Sequence, residues 1–125
     1  MSGPRFLLDT NVAIGLLKGN ADATTLKRNL GVPTGGNAIS QISRIELLGF
    51  PGMTKVAEID VRRFIGFCQV LLIDDTVETK TIELRRATRL KLPDAIILAT
   101  ALAHGLRLVT LDRQLEAVAA AEGMR

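Results

Sequence analysis

The sequence predicts an α/β fold built around a largely parallel sheet. Four short apolar runs alternate along the chain with longer stretches of helical character. That alternation is typical of α/β proteins, in which helices cross over the sheet between parallel strands. With 125 residues and 47% hydrophobic composition, the chain can bury a core without disulfides or metal ions. We therefore expect a single domain over residues 1–125.

Each strand is predicted from one apolar run. The four runs are residues 5–8 (RFLL), 37–40 (NAIS), 70–73 (VLLI) and 106–109 (LRLV). Each is short and bounded by polar, proline or glycine residues or by a charge, as strands buried in parallel sheets are.

Seven stretches are predicted to be helical. They are residues 12–18, 22–30, 43–49, 55–68, 76–90, 94–104 and 113–122. In 55–68, apolar residues recur three, four and seven positions apart, which places them on one face of a helix. In 76–90, Val77, Leu84 and Ala87 form a thinner apolar seam. Asp94 is a natural cap or first-turn residue for the apolar helix at 94–104.

Composition excludes several classes of protein. Cys68 is the single cysteine, so neither an intrachain disulfide nor a Cys/His zinc cluster is expected. Only Arg5 precedes a short apolar run that Asp9 interrupts, a pattern that fits neither a signal peptide nor a membrane span. We therefore expect a cytoplasmic protein without a membrane partner.

Four acidic residues are candidates for one site. Asp9 directly follows the first predicted strand, and Asp112 lies just past the last. Asp94 opens the helix that leads into that last strand, and Glu46 lies on the short helical stretch at 43–49. Ligands of open parallel sheets bind outside the carboxyl ends of the strands, so at least Asp9 and Asp112 should share an edge.

Each acid also has an ordinary structural explanation. Asp9, Asp94 and Asp112 can cap helices, and Glu46 can extend its carboxylate into solvent. As a group they indicate more, because clustered carboxylates repel one another unless a cation neutralises them. Ligands that are all oxygen suit Mg²⁺ or Mn²⁺, which can activate water for attack on a phosphodiester. The lone His104 is then structural or on the surface.

The chain resembles the PIN-domain ribonucleases, most closely the VapC-type toxins of toxin–antitoxin pairs. The resemblance rests on four segments in family order: residues 7–20 (LLDTNVAIGLLKGN), 42–51 (ISRIELLGFP), 90–105 (LKLPDAIILATALAHG) and 106–112 (LRLVTLD). It implies a three-layer PIN-like fold, in which helices flank a mainly parallel sheet of four to five strands.

The resemblance also implies a site, an activity and partners. The acidic metal-binding and catalytic set of the family falls on Asp9, Glu46, Asp94 and Asp112. Its supporting polar positions fall on Thr10, Asn11 and Thr110. The family cleaves RNA with Mg²⁺ or Mn²⁺ and commonly forms homodimers. In the VapC group, a cognate antitoxin wraps the toxin and covers the site with its C-terminal segment.

The chain departs from the family near its C-terminal end. Many relatives continue past the last aspartate into another strand, whereas almost no residues follow Gly123 here. Either the chain is shortened or this member uses a four-stranded sheet, and in both cases all four acids lie upstream.

Basic residues are the candidates for binding RNA. With four of the 13 acids in the site, nine remain against 16 lysines and arginines. The densest basic run is Arg85, Arg86, Arg89 and Lys91, which either forms a solvated face partly paired with Glu78 and Glu83 or binds phosphates. The chain has four phenylalanines and no tryptophan or tyrosine, so shape or a structured RNA such as tRNA is favoured over base stacking.

Other classes of protein match parts of this pattern. A receiver-like signalling domain could have its phosphoacceptor in residues 72–75. Receivers, however, have a pair of acids at the end of the first strand, where this chain has only Asp9. A phosphatase of the haloacid dehalogenase type needs an aspartate at the position of Asn11. A PIN-fold housekeeping nuclease for RNA processing, or a PIN fold without activity, also remains open. The sequence favours a Mg²⁺- or Mn²⁺-dependent endoribonuclease that acts as the toxin of a VapBC-type pair.

Overall fold

Four short strands form one parallel sheet in a computed structural model that describes residues 3–123. They are β1 (Phe6–Leu8), β2 (Ala38–Ser40), β3 (Gln69–Leu71) and β4 (Arg107–Val109). Their order is β3-β2-β1-β4, and every neighbouring pair is parallel. Leu7 pairs with Ala38 on one side and with Leu108 on the other. The prediction of a parallel α/β sheet is confirmed, and within the described residues it has four strands.

Seven helices connect and follow these strands within residues 3–123. They are α1 (Thr10–Leu17), α2 (Ala21–Leu30), α3 (Gln41–Leu48), α4 (Lys55–Gly66), α5 (Asp75–Ala87), α6 (Leu92–His104) and α7 (Arg113–Gly123). Three of them, α1, α3 and α6, begin two residues before their predicted starts. Helix α1 begins at Thr10 because the Asp9 side chain caps it, and α6 begins at Leu92 because Pro93 favours the first turn of a helix.

The side chains of each strand alternate between two hydrophobic cores. Leu7 packs into a core with residues of α5, α6 and α7, whereas Phe6 and Leu8 pack with residues of α1 and α4 on the opposite face. Successive side chains of a strand point to opposite faces, so three apolar residues in a row require helices on both sides. This arrangement of helices, sheet and helices confirms the predicted three-layer architecture.

One detail of the predicted helix faces is wrong. The apolar seam of α5 was expected to include Ala87, which is exposed, while Val77 and Leu84 are buried as expected. Thr81 lies in the seam instead, because its hydroxyl donates to the Val77 carbonyl oxygen at 2.7 Å and so needs no water.

None of the helices in the described part of the chain is long and apolar enough to cross a membrane.

Candidate metal centre

Asp9 lies where β1 ends and α1 begins, and only 4% of it is exposed. Its backbone N–H donates to the Val109 carbonyl oxygen at 2.9 Å, which continues the pairing of β1 with β4. Oδ1 of Asp9 accepts from the Thr10 backbone N–H at 2.7 Å, and Oδ2 accepts from the Thr110 hydroxyl at 2.6 Å. Both carboxylate oxygens are therefore held in place by hydrogen bonds.

The pKa of Asp9 is raised above its ordinary value. Burial is the main cause, and the negative charges of Asp94 and Glu46 add to it, while the two hydrogen bonds to Asp9 act in the opposite direction. The carboxylate is thus costly to ionise in this setting unless a cation lies beside it.

Glu46 reaches the same region from α3. Its Oε1 accepts the hydroxyl hydrogen of Thr10 at 2.6 Å, and that hydroxyl also lies 2.8 Å from Oγ of Ser43. Thr10 therefore touches Asp9 through its backbone and Glu46 through its side chain. Thr10 therefore fixes the position of the Glu46 carboxylate relative to the start of α1.

Asp94 lies in the first turn of α6, where Lys91 occupies the cap position. Its pKa is raised by partial burial first, then by the negative charges of Asp112 and Glu46, while the positive charge of Lys91 lowers it. The sequence allowed Asp94 to be either a cap or a first-turn residue, and the structure shows the second.

Asp112 follows β4 and caps α7. Its Oδ1 accepts from the backbone N–H groups of Gln114 at 2.9 Å and Leu115 at 3.1 Å. The Asp112 N–H in turn donates to the Thr110 hydroxyl oxygen at 3.0 Å. The Asn11 side-chain oxygen accepts from the Leu111 N–H at 3.2 Å, which ties α1 to the same loop. Asp9 and Asp112 thus both cap helices, as the sequence allowed, and both also lie at the same edge of the sheet.

The structure brings the four acids together at the carboxyl edge of the sheet. Asp94 is close enough to feel the charges of Asp112 and Glu46, and Asp9 feels those of Asp94 and Glu46. None of the ion pairs within residues 3–123 involves any of the four. Four unpaired carboxylates at one edge form a negative centre.

The chemistry of this donor set fits a hard divalent cation. All four side chains offer oxygen, which Mg²⁺ and Mn²⁺ prefer, and a bound cation would remove the repulsion that raises the pKa values of Asp9 and Asp94. Within residues 3–123, no three His, Cys, Asp or Glu side chains are arranged so that they could hold a metal ion as they stand. Asp9, Glu46 and Asp112 are held by separate hydrogen bonds, and the four acids are neighbours rather than a formed ligand cage.

The basic run divides into two kinds of residue. All four residues are exposed, but Arg85 also donates from Nη1 to the Leu90 carbonyl oxygen at 2.9 Å. Glu83 pairs with Lys80 at 3.4 Å instead, and no ion pair within residues 3–123 joins the basic run to Glu78 or Glu83. The pairing with these acids that the sequence left open is absent from the described part of the chain, and Arg85 has a structural contact that sequence reasoning missed.

Sequence reasoning also missed Ser43. It is fully buried and contacts the Thr10 hydroxyl. The signal was present in the spacing, since a serine three residues before Glu46 lies on the same side of a helix.

Comparisons with known proteins identify the family of the fold. The PIN domain family matches residues 6–121 of the chain. No curated protein is similar enough in sequence to count as a match. Among solved structures, a toxin–antitoxin complex from Klebsiella pneumoniae contains a chain that is 35% identical to this one. The match covers 85% of each chain with a TM-score of 0.72.

Two further structures share the fold at lower identity. VapBC2 from Rickettsia felis, bound to a DNA fragment from its promoter, is 18% identical over 90% of this chain and 92% of that one, with a TM-score of 0.72. FitAcB from Neisseria gonorrhoeae is 21% identical over 92% of this chain and 93% of that one, also with a TM-score of 0.72. The family match decides against the receiver and phosphatase alternatives, and the chain belongs to the PIN domain family.

Proposed function

We propose that this protein is a metal-dependent endoribonuclease and the toxin of a VapBC-type toxin–antitoxin pair, acting in the cytoplasm. The observation that supports this most strongly is the set of four acids that arrive from four separate elements at one edge of the sheet. Burial and mutual repulsion raise the pKa values of two of them, Asp9 and Asp94, and no lysine or arginine in residues 3–123 forms an ion pair with any of the four.

Asp9, Glu46, Asp94 and Asp112 would hold Mg²⁺ or Mn²⁺. The ion, when bound, supplies a water activated for attack and stabilises negative charge on the phosphodiester. The position of the Asp9 carboxylate is fixed, because both of its oxygens accept hydrogen bonds. Thr10, Asn11 and Thr110 support the site by holding α3 and the loop after β4 against the start of α1.

We propose that RNA phosphates bind to Arg86, Arg89 and Lys91. These side chains are exposed on and after the end of α5, and Lys91 lies near enough to Asp94 for its charge to be felt there. Arg85 contributes mainly by holding the Leu90 carbonyl, and so the segment that leads to Asp94. The scarcity of aromatic residues supports a structured RNA, such as tRNA, as substrate.

An antitoxin is proposed as the protein partner. An apolar groove of about 330 Å³ lies between α1, α3 and α4, with Leu17, Leu47 and Met53 in its lining. Phe50 lines it too and is 52% exposed. The groove shares α1 and α3 with the metal centre, although none of the four acids lines it. A small reading frame immediately upstream of the gene, encoding a DNA-binding protein, would support the toxin assignment over a housekeeping nuclease.

A second copy of the chain is proposed to cover another apolar surface. Ile45 and Leu72 are each more than half exposed, and the Ile73 N–H donates to the Gln41 side-chain oxygen at 2.9 Å. Since Gln41 and Ile45 lie one turn apart on α3, these apolar side chains form one patch beside Glu46.

Cleavage of RNA by the purified protein tests the function. We expect cutting with added Mn²⁺, none with EDTA, and a loss of at least about 100-fold in the Asp9→Asn variant. Asn caps helices about as well as Asp, so that variant keeps the start of α1. Asp74→Asn is the matched control, because the Asp74 side chain also caps a helix, α5, but lies outside the site. Equal cutting by the wild type and Asp9→Asn would show that the site is wrongly assigned.

A further inference from the structure

Ser43 begins a small hydrogen-bonded chain that passes through Thr10 and ends on Glu46. It is fully buried on α3, one turn before Glu46, and its hydroxyl oxygen lies 2.8 Å from that of Thr10. The Thr10 hydroxyl is in turn 2.6 Å from Oε1 of Glu46. With no exposed surface, Ser43 cannot touch a substrate.

The direction of the hydrogen bonds follows from proton counting. An ionised carboxylate only accepts, so the single hydroxyl hydrogen of Thr10 points to Glu46. Thr10 must then accept at its oxygen from Ser43, which donates. The order is Ser43 to Thr10 to Glu46, and each hydroxyl has one defined orientation.

We propose that Ser43 is a positioning residue that sets the affinity of the acidic centre for its cation. It holds the Thr10 hydroxyl in the orientation that fixes Glu46, while the Thr10 backbone N–H holds Asp9. This inference rests on the proposed function, since it concerns the same metal centre. Groups that orient metal ligands typically change metal affinity by about 10- to 100-fold when they are removed.

Ser40 provides a matched comparison within the same chain. It is also fully buried and lies three residues before Ser43, at the junction of β2 and α3. Its hydroxyl oxygen accepts from the Ile42 N–H at 3.2 Å and lies 3.5 Å from the Thr100 hydroxyl oxygen, and it has no hydrogen bond to any of the four acids. Removal of its hydroxyl should therefore affect folding but not the cation.

The experiment measures Mn²⁺ binding by calorimetric titration, and thermal unfolding in EDTA, for the full chain. We expect Ser43→Ala to weaken Mn²⁺ binding by about 10-fold. Ser40→Ala should lower the melting temperature and leave Mn²⁺ affinity within about twofold of the wild type. Because Ser43 acts through Thr10, adding Ser43→Ala to Thr10→Val should cause no further loss of affinity.

Three results would overturn the proposal. Ser43→Ala with wild-type affinity would remove the positioning role and leave the metal centre intact. A further loss on top of Thr10→Val would mean that Ser43 acts independently of Thr10. A wild-type protein that does not bind Mn²⁺ would overturn the proposed function and this inference together. The melting temperature of each variant in EDTA shows whether a change in affinity reflects lost folding.

Discussion

Thr110 donates its hydroxyl hydrogen to Oδ2 of Asp9 across 2.6 Å, although the two residues lie 101 positions apart in the chain. The same hydroxyl oxygen accepts from the Asp112 N–H at 3.0 Å. One short side chain thus joins the acid after β1 to the acid after β4, and the separation of Asp9 from Asp112 depends on it.

Thr110→Val should destabilise the protein by about 1–3 kcal/mol. Valine has the shape of threonine but leaves the buried Oδ2 of Asp9 without its donor, and unsatisfied buried acceptors cost roughly this much. Denaturant unfolding in EDTA measures the change. Thr110→Ser keeps the hydroxyl and is the control, with a smaller loss expected from the missing methyl group. A midpoint unchanged by the valine variant would contradict the assigned role of this hydrogen bond.

The stability of the metal-free protein should depend on pH through Asp9 and Asp94. Both pKa values are raised above 3.8 in the folded state, by burial first and then by neighbouring acids. Between pH 3.8 and the raised values the folded protein binds more protons than the unfolded chain. This contribution to stability is therefore lost as the pH rises through that window.

Asp94→Asn isolates this effect. We expect it to raise the melting temperature in EDTA by roughly 1–3 °C at pH 7 and to have little effect at about pH 2.5, where the carboxyl group is protonated in both states. Asp60→Asn is the control, since Asp60 is exposed on α4 and pairs with Arg63. A lower melting temperature for Asp94→Asn at pH 7 would mean that burial and the neighbouring acids do not make the ionised Asp94 carboxylate destabilising.

Removal of Arg86 and Arg89 should weaken RNA binding and its dependence on salt. Each lost phosphate contact should reduce the slope of log affinity against log salt by about 0.7–0.9. Binding to a tRNA with the Asp9→Asn protein, which should not cut it, gives the slope. Arg62→Ala, on exposed α4 and paired with Glu58, serves as the control. If the double alanine variant keeps the wild-type slope, RNA binds elsewhere.

Arg85→Ala should behave differently from its neighbours. It removes the contact with the Leu90 carbonyl oxygen, so we expect a loss of about 1 kcal/mol in stability and a smaller change in the salt slope. Denaturant unfolding and the same titrations separate the two effects. A salt slope reduced as much as by Arg86→Ala, with unchanged stability, would place Arg85 among the phosphate-binding residues.

Ile45→Arg should disrupt the proposed homodimer. Ile45 is 55% exposed in the patch beside Glu46, and a charge there would be buried without a partner in the dimer. Sedimentation analysis of the purified protein should show a shift from dimer toward monomer. Ile59→Arg makes the same change at a position on α4 that is 56% exposed, and should leave the dimer intact. A dimer that persists in Ile45→Arg would move the interface to another surface.

The sequence predicted some parts of the site more directly than others. Asp9 and Asp112 could be placed together from strand ends alone, since parallel strands deliver their carboxyl ends to one edge. Glu46 could not, because its location depends on the angle at which α3 leaves β2, and only the family resemblance assigned it. The contact of Arg85 with Leu90 depends on the path of the chain through residues 88–90, which no periodicity encodes. Thr81 is buried in the apolar seam of α5 and Ala87 is not, because a threonine hydroxyl can donate to a carbonyl oxygen within its own helix.

Three of the four acids lie at the start of a helix: Asp9 before α1, Asp94 in the first turn of α6 and Asp112 before α7. The first turn of a helix carries a partial positive charge of about half a unit. This charge comes from the aligned peptide dipoles of the helix, so it is present without any ligand. The backbone therefore balances part of the negative charge before any cation arrives. We therefore expect the protein to fold before it binds the proposed ion, and the ion to exchange with solvent without unfolding the protein.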